Sequence, residues 1–456
     1  MTAGLFAAEG FLERRAAGVL LHPTSLPGGR LGAAALEFIE FLAAAGCRVW
    51  QVLPLGPTGP DLSPYSPSSV FAGNPSLLPS GAGAPPARGA LADFVERERA
   101  WLPDYALFVA AKQETAGAPW WEWPPDLRDR EPQALRSLAK RYATLIEGVY
   151  VEQFRFAARW RELRTAAHER GIAIYGDLPM FTVADSADVW AHRDLFRLDE
   201  EGRATAVAGV PPDAFAEDGQ LWGNPLFDWD AMRETGFAWW IERVRHELDR
   251  CDLLRLDHFR GLVATWEVPA GAASAREGQW REVPGRELLE ALARALGRLP
   301  LVAENLGDIT PEVEALRHAF RLPGMHVLQF AFDGTENNPH RPERHEEQGV
   351  AYTGTHDNDT TLGWFRSLDP ATQQEVLALT GGTAEDMPWP AIETVMRSRA
   401  RLAVVPMQDF LALGSEARMN RPGVAAGNWR WQLAAGDLDP ALAARIAALV
   451  AATNRR

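Results

Sequence analysis

The sequence predicts an α/β protein built as a (β/α)8 TIM barrel. Eight short apolar runs rich in Val, Ile and Leu recur along the chain, and segments with helical periodicity separate them. Three acidic residues stand at the ends of such runs, Asp257 in LLRLDHFR, Glu304 in LVAENLG and Asp357 in AYTGTHDND. Side chains at the carboxyl ends of parallel barrel strands face the active-site mouth. We therefore expect the three acids to converge on one site.

The runs set the order of the predicted strands. They span Val19 to Pro23, Val49 to Leu55, Ile172 to Pro179, Leu253 to Phe259, Leu301 to Gly307, Met325 to Asp333, Val350 to Asp357 and Leu402 to Asp409. Eight strands that alternate with helices, in a chain of 456 residues, fit a (β/α)8 barrel. The three acids then lie on the fourth, fifth and seventh strands.

The spacing of the runs predicts one catalytic domain over residues 1–456. Too few residues follow the eighth run for a separate C-terminal all-β domain. Two gaps are too long for a simple crossover: residues 57–148, expected as a mainly helical insertion after the second strand, and residues 180–236, expected as an insertion after the third. Both insertions are expected on the catalytic face.

Composition narrows the class of protein and its partners. With 46% hydrophobic and 23% charged residues the chain is typical of a globular protein. A formal net charge of -15 disfavours nucleic acid and anionic membranes and favours a neutral substrate. The sequence shows no secretory signal and no apolar stretch near the ~18 residues that span a bilayer. Cys47 and Cys251 stand in apolar contexts typical of reduced, buried thiols, so we expect a cytoplasmic protein.

Paired carboxyl groups at strand ends indicate chemistry on a glycosidic bond. Cleavage with retention needs a nucleophilic carboxylate and a proton donor ~5 Å apart, which Asp257 and Glu304 can provide from neighbouring strands. Arg255 lies two residues before Asp257, so both side chains point to the same face and the guanidinium can keep the nucleophile ionised. Glu304 has to keep its proton until the leaving oxygen takes it.

Each residue also has a purely structural interpretation. An Asp in RLDH could be a helix cap or an ion-pair partner of Arg255, although three acids at one barrel level favour catalysis. His356, beside Asp357, could donate to a sugar hydroxyl or to a backbone carbonyl, and the sequence leaves both open.

Several long motifs are distributed along the chain: LLHPTSLPG, VWQVLPLGPTG, SPYSPSSVFAGNPSLL, VAGVPPDAFAEDGQLWGNPLFDW, LRLDHFRG, VAENLGDIT, GTHDNDT, MNRPG and GNWRW. They resemble those of the 4-α-glucanotransferases called amylomaltase or disproportionating enzyme, family 77 of the glycoside hydrolases in the α-amylase clan. The resemblance covers nearly the whole chain.

The resemblance implies a role for each site residue. It makes Asp257 the nucleophile, Glu304 the general acid/base and Asp357 the acid that stabilises the distorted sugar. It makes the following residues substrate-binding: Arg255, His356, Tyr65, Asp213, Gln220, Trp222 and Asp333. Of these, Asp213 and Trp222 are expected in a substrate-covering loop within residues 180–236, with Gln220 at its mobile tip.

The resemblance also implies the reaction. A segment of a donor α-1,4-glucan is transferred, through a covalent glucosyl intermediate, to the 4-hydroxyl of an acceptor glucan or glucose, and no metal or organic cofactor is needed. An α-glucan hydrolase of the same clan and a non-catalytic glucan-binding protein are the alternatives. The sequence leaves open whether the chain is a monomer or a weak dimer.

Overall fold

The computed structural model describes residues 11–81, 86–212, 217–424 and 426–456. The strands in these ranges are β1 Ala16–Leu20, β2 Val49–Gln51, β3 Ala173–Leu178, β4 Ala206–Val210, β5 Gln220–Pro225, β6 Leu253–Leu256, β7 Ala264–Pro269, β8 Gln279–Glu282, β9 Leu301–Ala303, β10 Gly324–Val327, β11 Gly349–Tyr352 and β12 Leu402–Pro406. The helices are α1 Ala33–Ala44, α2 Arg88–Arg97, α3 Leu102–Glu114, α4 Pro125–Arg128, α5 Pro132–Arg141, α6 Ala143–Glu169, α7 Ala187–Ala191, α8 Trp229–Glu234, α9 Ala238–Arg250, α10 Gly285–Leu296, α11 Pro311–Ala319, α12 Thr361–Ser367, α13 Pro370–Thr380, α14 Trp389–Arg397, α15 Met407–Phe410 and α16 Pro440–Ala452.

Eight of the strands form the predicted barrel, which is confirmed. They pair in parallel in the order β10-β11-β12-β1-β2-β3-β6-β9. Each predicted run overlaps one of them, and every run extends beyond the carboxyl end of its strand. In the predicted run 325–333, for example, strand β10 ends at Val327 and a 3-10 turn follows at Leu328–Phe330. The apolar character of these runs therefore continues into the loops of the catalytic face.

The two outer strands of the sheet, β9 and β10, meet through a side chain rather than a full ladder. The N–H of Ala303 donates to the carbonyl of Pro323 at 2.8 Å. The Oδ1 of Asn305, two residues beyond β9, accepts the N–H of Met325 at 2.8 Å. Asn305 thus replaces a backbone acceptor where the ring of strands closes.

The barrel strands are buried on both faces, so the chain has two apolar layers. Side chains that alternate along the strands, such as Tyr175, Leu253 and Val302, form an inner cluster. Their neighbours, such as Ile174, Leu254 and Leu301, join a larger outer cluster that the surrounding helices cover. Because side chains alternate with period two, Arg255 and Asp177 share the inner face with Leu253 and Tyr175.

The long gaps of the sequence are filled with regular elements. Helices α2 to α6 lie between β2 and β3, and α6 already begins at Ala143, inside the range 57–148. Elements α7, β4, β5, α8 and α9 lie between β3 and β6. No helix within the described ranges combines the length and the apolar character that crossing a bilayer requires.

A second, antiparallel sheet was not predicted from the sequence. Its strand order is β5-β4-β7-β8, and its last two strands come from a segment after β6 that has no counterpart in the two expected insertions. The close pairing of β4 with β5 explains Gly209: a Cβ there would lie 2.5 Å from the carbonyl oxygen of Gln220. We call this four-stranded unit the covering sheet.

A buried arginine connects the segments at the amino-terminal ends of strands β1 and β12. Arg455, which is fully buried, follows α16 and donates only to backbone carbonyls. Its acceptors are Met396 (2.6 Å), Ser398 (2.9 Å), Ala400 (2.8 Å), Ala16 (3.1 Å) and Arg401 (3.1 Å). Arg15 donates to two of the same carbonyls, those of Ser398 and Met396. The end of the chain is thereby bonded to the loop before β12 and to β1.

Replacement of Arg455 by Met is expected to destabilise the fold. The change removes five hydrogen bonds to backbone carbonyls. Those of Met396 and Ser398 keep Arg15 as a donor and that of Arg401 keeps the N–H of Ala16, so we expect a loss of about 3 kcal/mol, less than five fully lost bonds would cost. Chemical denaturation would measure it. Arg456→Met, at the exposed neighbouring position, is the control and should leave the unfolding free energy unchanged. Equal stability of the two variants would contradict this account of Arg455.

Candidate active site

Strand register places the charged residues of β3 and β6, and the acids that follow β6 and β9, at two successive levels of the barrel. Asp177 on β3 pairs directly with Arg255 on β6, and Arg255 pairs with Val302 on β9. Leu256 then pairs with Ala303, so Asp257 and Glu304 follow at the next level, toward the carboxyl ends of both strands. The predicted convergence of Asp257 with Glu304 follows from this register.

Arg255 lies at the centre of the polar residues and is almost fully buried. Its Nε donates to Asp177 Oδ2 at 2.8 Å, and its Nη2 donates to Asp257 Oδ1 at 2.6 Å. The same Nη2 lies 3.1 Å from the Tyr65 hydroxyl. One guanidinium therefore connects two carboxylates and fixes the orientation of Asp257, whose other oxygen it leaves uncommitted.

Glu304 is held by backbone groups. Its Oε2 accepts the N–H of His258 at 2.7 Å, and its Oε1 accepts the N–H of Leu306 at 3.1 Å. Burial, and then the nearby Asp257 carboxylate, raise the pKa of Glu304 to about 8, against the opposing effect of Arg255. At neutral pH Glu304 is therefore largely protonated, the state that a proton donor needs.

A second set of contacts leads from Arg255 to Asp357. The Tyr65 hydroxyl donates to Asp177 Oδ2 at 2.9 Å and lies 2.9 Å from His356 Nε2. Because Tyr65 has one proton, which it gives to Asp177, its oxygen accepts from His356. That assigns the proton of the neutral imidazole to Nε2, which also lies 3.4 Å from Asp357 Oδ2. Burial lowers the pKa of His356, in keeping with a neutral ring.

Asp357 is positioned from the C-terminal part of the chain. Asn420 Nδ2 donates to Asp357 Oδ1 at 2.6 Å, and Arg418 Nη2 donates to the Asp357 carbonyl at 2.6 Å. Trp429 is buried and lies against the rings of both Tyr65 and His356, with its ring centroid 6.0 Å from each. The motifs MNRPG and GNWRW therefore shape the site from behind.

The structure corrects the expectation of a loop around Trp222. Gln220 and Trp222 lie on strand β5 of the covering sheet, because their backbone pairs with β4. The Trp222 ring packs edge-on against His258 with centroids 4.8 Å apart, and its Nε1 donates to Gln220 Oε1 at 3.2 Å. Trp222 remains more than a third exposed, so it can still meet a ligand.

The remaining two predicted binding residues are Asp213 and Asp333. Asp213 lies outside the described residues. Asp333 is in the exposed loop after β10, where its Oδ1 accepts the N–H of Thr335 at 2.9 Å. Within the described ranges the contacts that link the other predicted residues do not extend to Asp333.

Sequence reasoning missed Asp177, which the structure places at the centre of the site. The signal was present, since Asp177 stands near the end of the run IAIYGDLP as the three chosen acids do in theirs. Burial raises the pKa of Asp177, and the Arg255 guanidinium opposes this effect. Asn420 was also missed, and no local pattern distinguishes it from an ordinary loop residue.

Elsewhere in the described residues, Glu314, His318 and Glu346 are the one group of metal-capable side chains close enough to share an ion. Arg317 lies among them: its Nη2 donates to Glu346 Oε1 at 2.8 Å and also contacts Glu314 and His318. The guanidinium satisfies these acceptors, so the group is an ion-pair network.

A parallel barrel that carries carboxyl groups at the carboxyl ends of its strands is the frame of an enzyme that acts on glycosidic bonds. Comparison with known proteins specifies the family. Residues 20–82 and 81–438 match the model of glycoside hydrolase family 77, 4-alpha-glucanotransferase. The chain belongs to this family and is an enzyme of the 4-alpha-glucanotransferase type.

Similar proteins span almost its whole length. The chain is 48% identical to the 4-alpha-glucanotransferase of Thermus thermophilus, over 97% of this chain and 99% of the relative. It is 44% identical to that of Synechocystis sp., over 98% and 99%. The solved amylomaltase of Streptococcus agalactiae in complex with acarbose is 33% identical, with a TM-score of 0.93 over 97% of this chain and all of that chain.

Replacement of Asp177 by Asn is expected to lower kcat strongly while the protein remains folded. The amide keeps the shape but removes one of the two charges that hold Arg255, so the guanidinium shifts and Asp257 loses its fixed orientation. We expect kcat to fall by about 100-fold, roughly the effect of losing one preorganised electrostatic contact. Initial rates on maltotriose would measure it.

Asp409→Asn is the matched control for that variant. Asp409 is another buried carboxylate, on α15 directly after β12, but it accepts from Thr353 and Thr361 rather than from Arg255. Its replacement is expected to lower the melting temperature while leaving kcat within about threefold of the unmodified enzyme. Equal losses of kcat in both variants would show that burial of the charge, and not its contact with Arg255, is what matters.

Proposed function

We propose that this enzyme transfers α-1,4-glucan segments from a donor maltooligosaccharide or starch chain to the 4-hydroxyl of an acceptor glucan or glucose by a retaining double displacement. The observation that carries the proposal is the difference between two neighbouring carboxyl groups. Asp257 is ion-paired with Arg255, whereas Glu304 has its pKa raised to about 8. A nucleophile and a proton donor need these opposite states.

In the first step Glu304 gives its proton to the glycosidic oxygen while an oxygen of Asp257 attacks C1 of the donor sugar. The C1–O bond breaks, the leaving glucan departs with that proton, and a β-glucosyl ester forms on Asp257. In the second step Glu304, now a carboxylate, takes the proton of the acceptor 4-hydroxyl as that oxygen attacks C1. The ester breaks, an α-1,4 bond forms, and both carboxyl groups return to their initial states.

Asp357 is assigned the stabilisation of the distorted, positively charged sugar in both steps. Its Oδ1 is held by Asn420 and its Oδ2 lies beside the Nε2 of His356, so it is oriented before the substrate arrives. Arg255, Tyr65 and His356 are proposed to bind the same sugar, and Gln220 and Trp222 to bind from the covering sheet. Asp213 and Asp333 remain proposals that rest on the family motifs.

Transfer rather than hydrolysis requires that water be kept from the glucosyl ester while an acceptor sugar is admitted. The covering sheet places Trp222 against His258, the residue that follows the proposed nucleophile. We propose that this sheet, with the segment 57–148 after β2 and the rest of 180–236, forms the acceptor side of one catalytic domain. The acarbose bound to the Streptococcus agalactiae amylomaltase is a glucan-like ligand that such a site would accept.

The cytoplasm is our proposal for its location. Both cysteines, Cys47 and Cys251, are buried and unpaired, as is usual for proteins of a reducing compartment.

Incubation with maltotriose is expected to yield glucose together with a ladder of longer maltooligosaccharides. Asp257→Asn and Glu304→Gln should each reduce ladder formation by at least about 1000-fold, since each removes a group that forms or breaks a bond. Chromatography of the products measures both. Glu312→Gln, an exposed change at the start of α11, is the control and should leave the ladder intact.

Three outcomes would decide against this function. Reducing ends that accumulate in step with bond breakage, without longer products, would identify an α-glucan hydrolase. Full activity of Asp257→Asn would exclude the covalent intermediate. Binding of maltooligosaccharides without any turnover would leave a glucan-binding protein.

The pH dependence of kcat tests the acid directly. Because Glu304 has to be protonated in the first step and its pKa is raised to about 8, the rate should fall as the pH rises through about 8. The same pH profile is then measured with α-maltotriosyl fluoride as the donor. Its fluoride leaves without a proton, so the rate of the first step should no longer fall at alkaline pH. An alkaline limb that is identical for both donors would assign it to another group.

A further inference from the structure

His258 joins the proposed acid to the covering sheet, and its backbone is strained. It follows β6 with φ 52° and ψ 51°, in the left-handed region that side chains other than Gly seldom adopt. In this conformation its N–H points to Glu304 Oε2 at 2.7 Å, and the next N–H, that of Phe259, reaches the Glu304 carbonyl at 3.2 Å. The strained turn thus holds both the side chain and the backbone of Glu304.

The His258 ring is fixed by what surrounds it. Trp222 meets it edge-on, with centroids 4.8 Å apart and planes at 88°, and Phe181 lies 6.2 Å away. On the other side Gly261 leaves little room, since a Cβ there would lie 3.0 Å from His258 Cδ2. Among the described residues Nε2 is buried without a hydrogen-bond partner. The ring therefore contributes shape and packing rather than a polar contact.

We propose that His258 is a positioning residue that couples the seating of Trp222 on the barrel to the orientation of Glu304. The inference rests on the proposed role of Glu304 as general acid/base. A residue with a side chain keeps the left-handed conformation only when its surroundings hold it there. The packing of the His258 ring against Trp222, Phe181 and Gly261 therefore keeps its N–H directed at Glu304. A bound sugar that presses Trp222 against His258, or moves it away, then changes the orientation of Glu304 through His258.

The same region shows a second link between the covering sheet and this turn. Arg260, two residues after His258, stacks on Trp280 of β8 with its guanidinium carbon 3.5 Å from the ring centroid. Two strands of the covering sheet, β5 and β8, therefore contact the segment 258–260 from which Glu304 receives its hydrogen bond. Displacement of the sheet cannot leave that segment unaffected.

The test compares His258→Gly and His258→Val on two donors. Glycine adopts φ 52° without steric cost and keeps the N–H but loses the ring, whereas valine, branched at Cβ, disfavours the left-handed conformation itself. His258→Asn, a residue that tolerates this region, replaces the glycine variant if that protein folds poorly. Initial rates with maltotriose and the burst of fluoride from α-maltotriosyl fluoride are measured for each.

With maltotriose we expect kcat to fall about tenfold in His258→Gly and further in His258→Val, with KM changed less than about twofold. The fluoride burst should stay within about threefold of the unmodified enzyme, because that step needs no proton donor. In the unmodified enzyme the N–H bond from His258 favours the charged form of Glu304 and lowers its pKa. Loss of this bond in His258→Val should therefore move the alkaline limb to higher pH. Equal losses with both donors would show general damage to the site and would overturn the proposal.

A double-mutant cycle with Trp222→Leu tests the coupling itself. In the unmodified enzyme this change should lower kcat and also raise KM, because Trp222 is exposed to sugar as well as packed on His258. In the His258→Gly background the effect on KM should persist while the effect on kcat disappears. Independent, multiplicative effects on kcat would contradict the coupling. Absence of a ladder from maltotriose with the unmodified enzyme would overturn the proposed function. A normal ladder together with multiplicative effects on kcat would overturn only the coupling through His258.

Discussion

The pairing of one buried guanidinium with two carboxylates sets the geometry of the site. Arg255 is buried in the barrel. A buried charge is tolerated only when opposite charges and hydrogen-bond acceptors surround it. Asp177 supplies this from β3 and Asp257 from the end of β6. The Tyr65 hydroxyl contacts both Arg255 and Asp177, and His356 joins them through Tyr65. The rest of the polar network depends on this pair of contacts.

The two neighbouring acids obtain different states from different surroundings. Asp257 faces a cation, whereas burial and the Asp257 carboxylate raise the pKa of Glu304, and its backbone N–H donors and Arg255 only partly oppose this effect. The strands that carry them are adjacent and in register, so chain topology alone brings the two side chains together. The segment 255–258 contributes to both acids, because Arg255 pairs with Asp257 and the N–H of His258 orients Glu304.

The barrel and its acids could be predicted because they depend on patterns within single segments. Buried parallel strands need apolar runs, and an acid at the end of such a run has few structural reasons to be there. The covering sheet could not be found in this way, since the pairing of β4 with β7 joins residues about sixty positions apart and their sequences do not alternate clearly. For the same reason Trp222 was expected in a loop. Asn420 belongs to the site because of tertiary contact alone.

The contacts of Arg455 have a consequence for the order in which the chain can fold. Arg455 donates to the carbonyl of Ala16, a residue 439 positions earlier. During synthesis from the amino terminus, β1 is made long before either β12 or the final helical segment that secures it. The first strand must therefore wait with one edge unpaired until both of these have been made. Because the contact of Arg455 with Ala16 joins residues so far apart in the chain, it is slow to form, and the first strand can complete its contacts only late in synthesis.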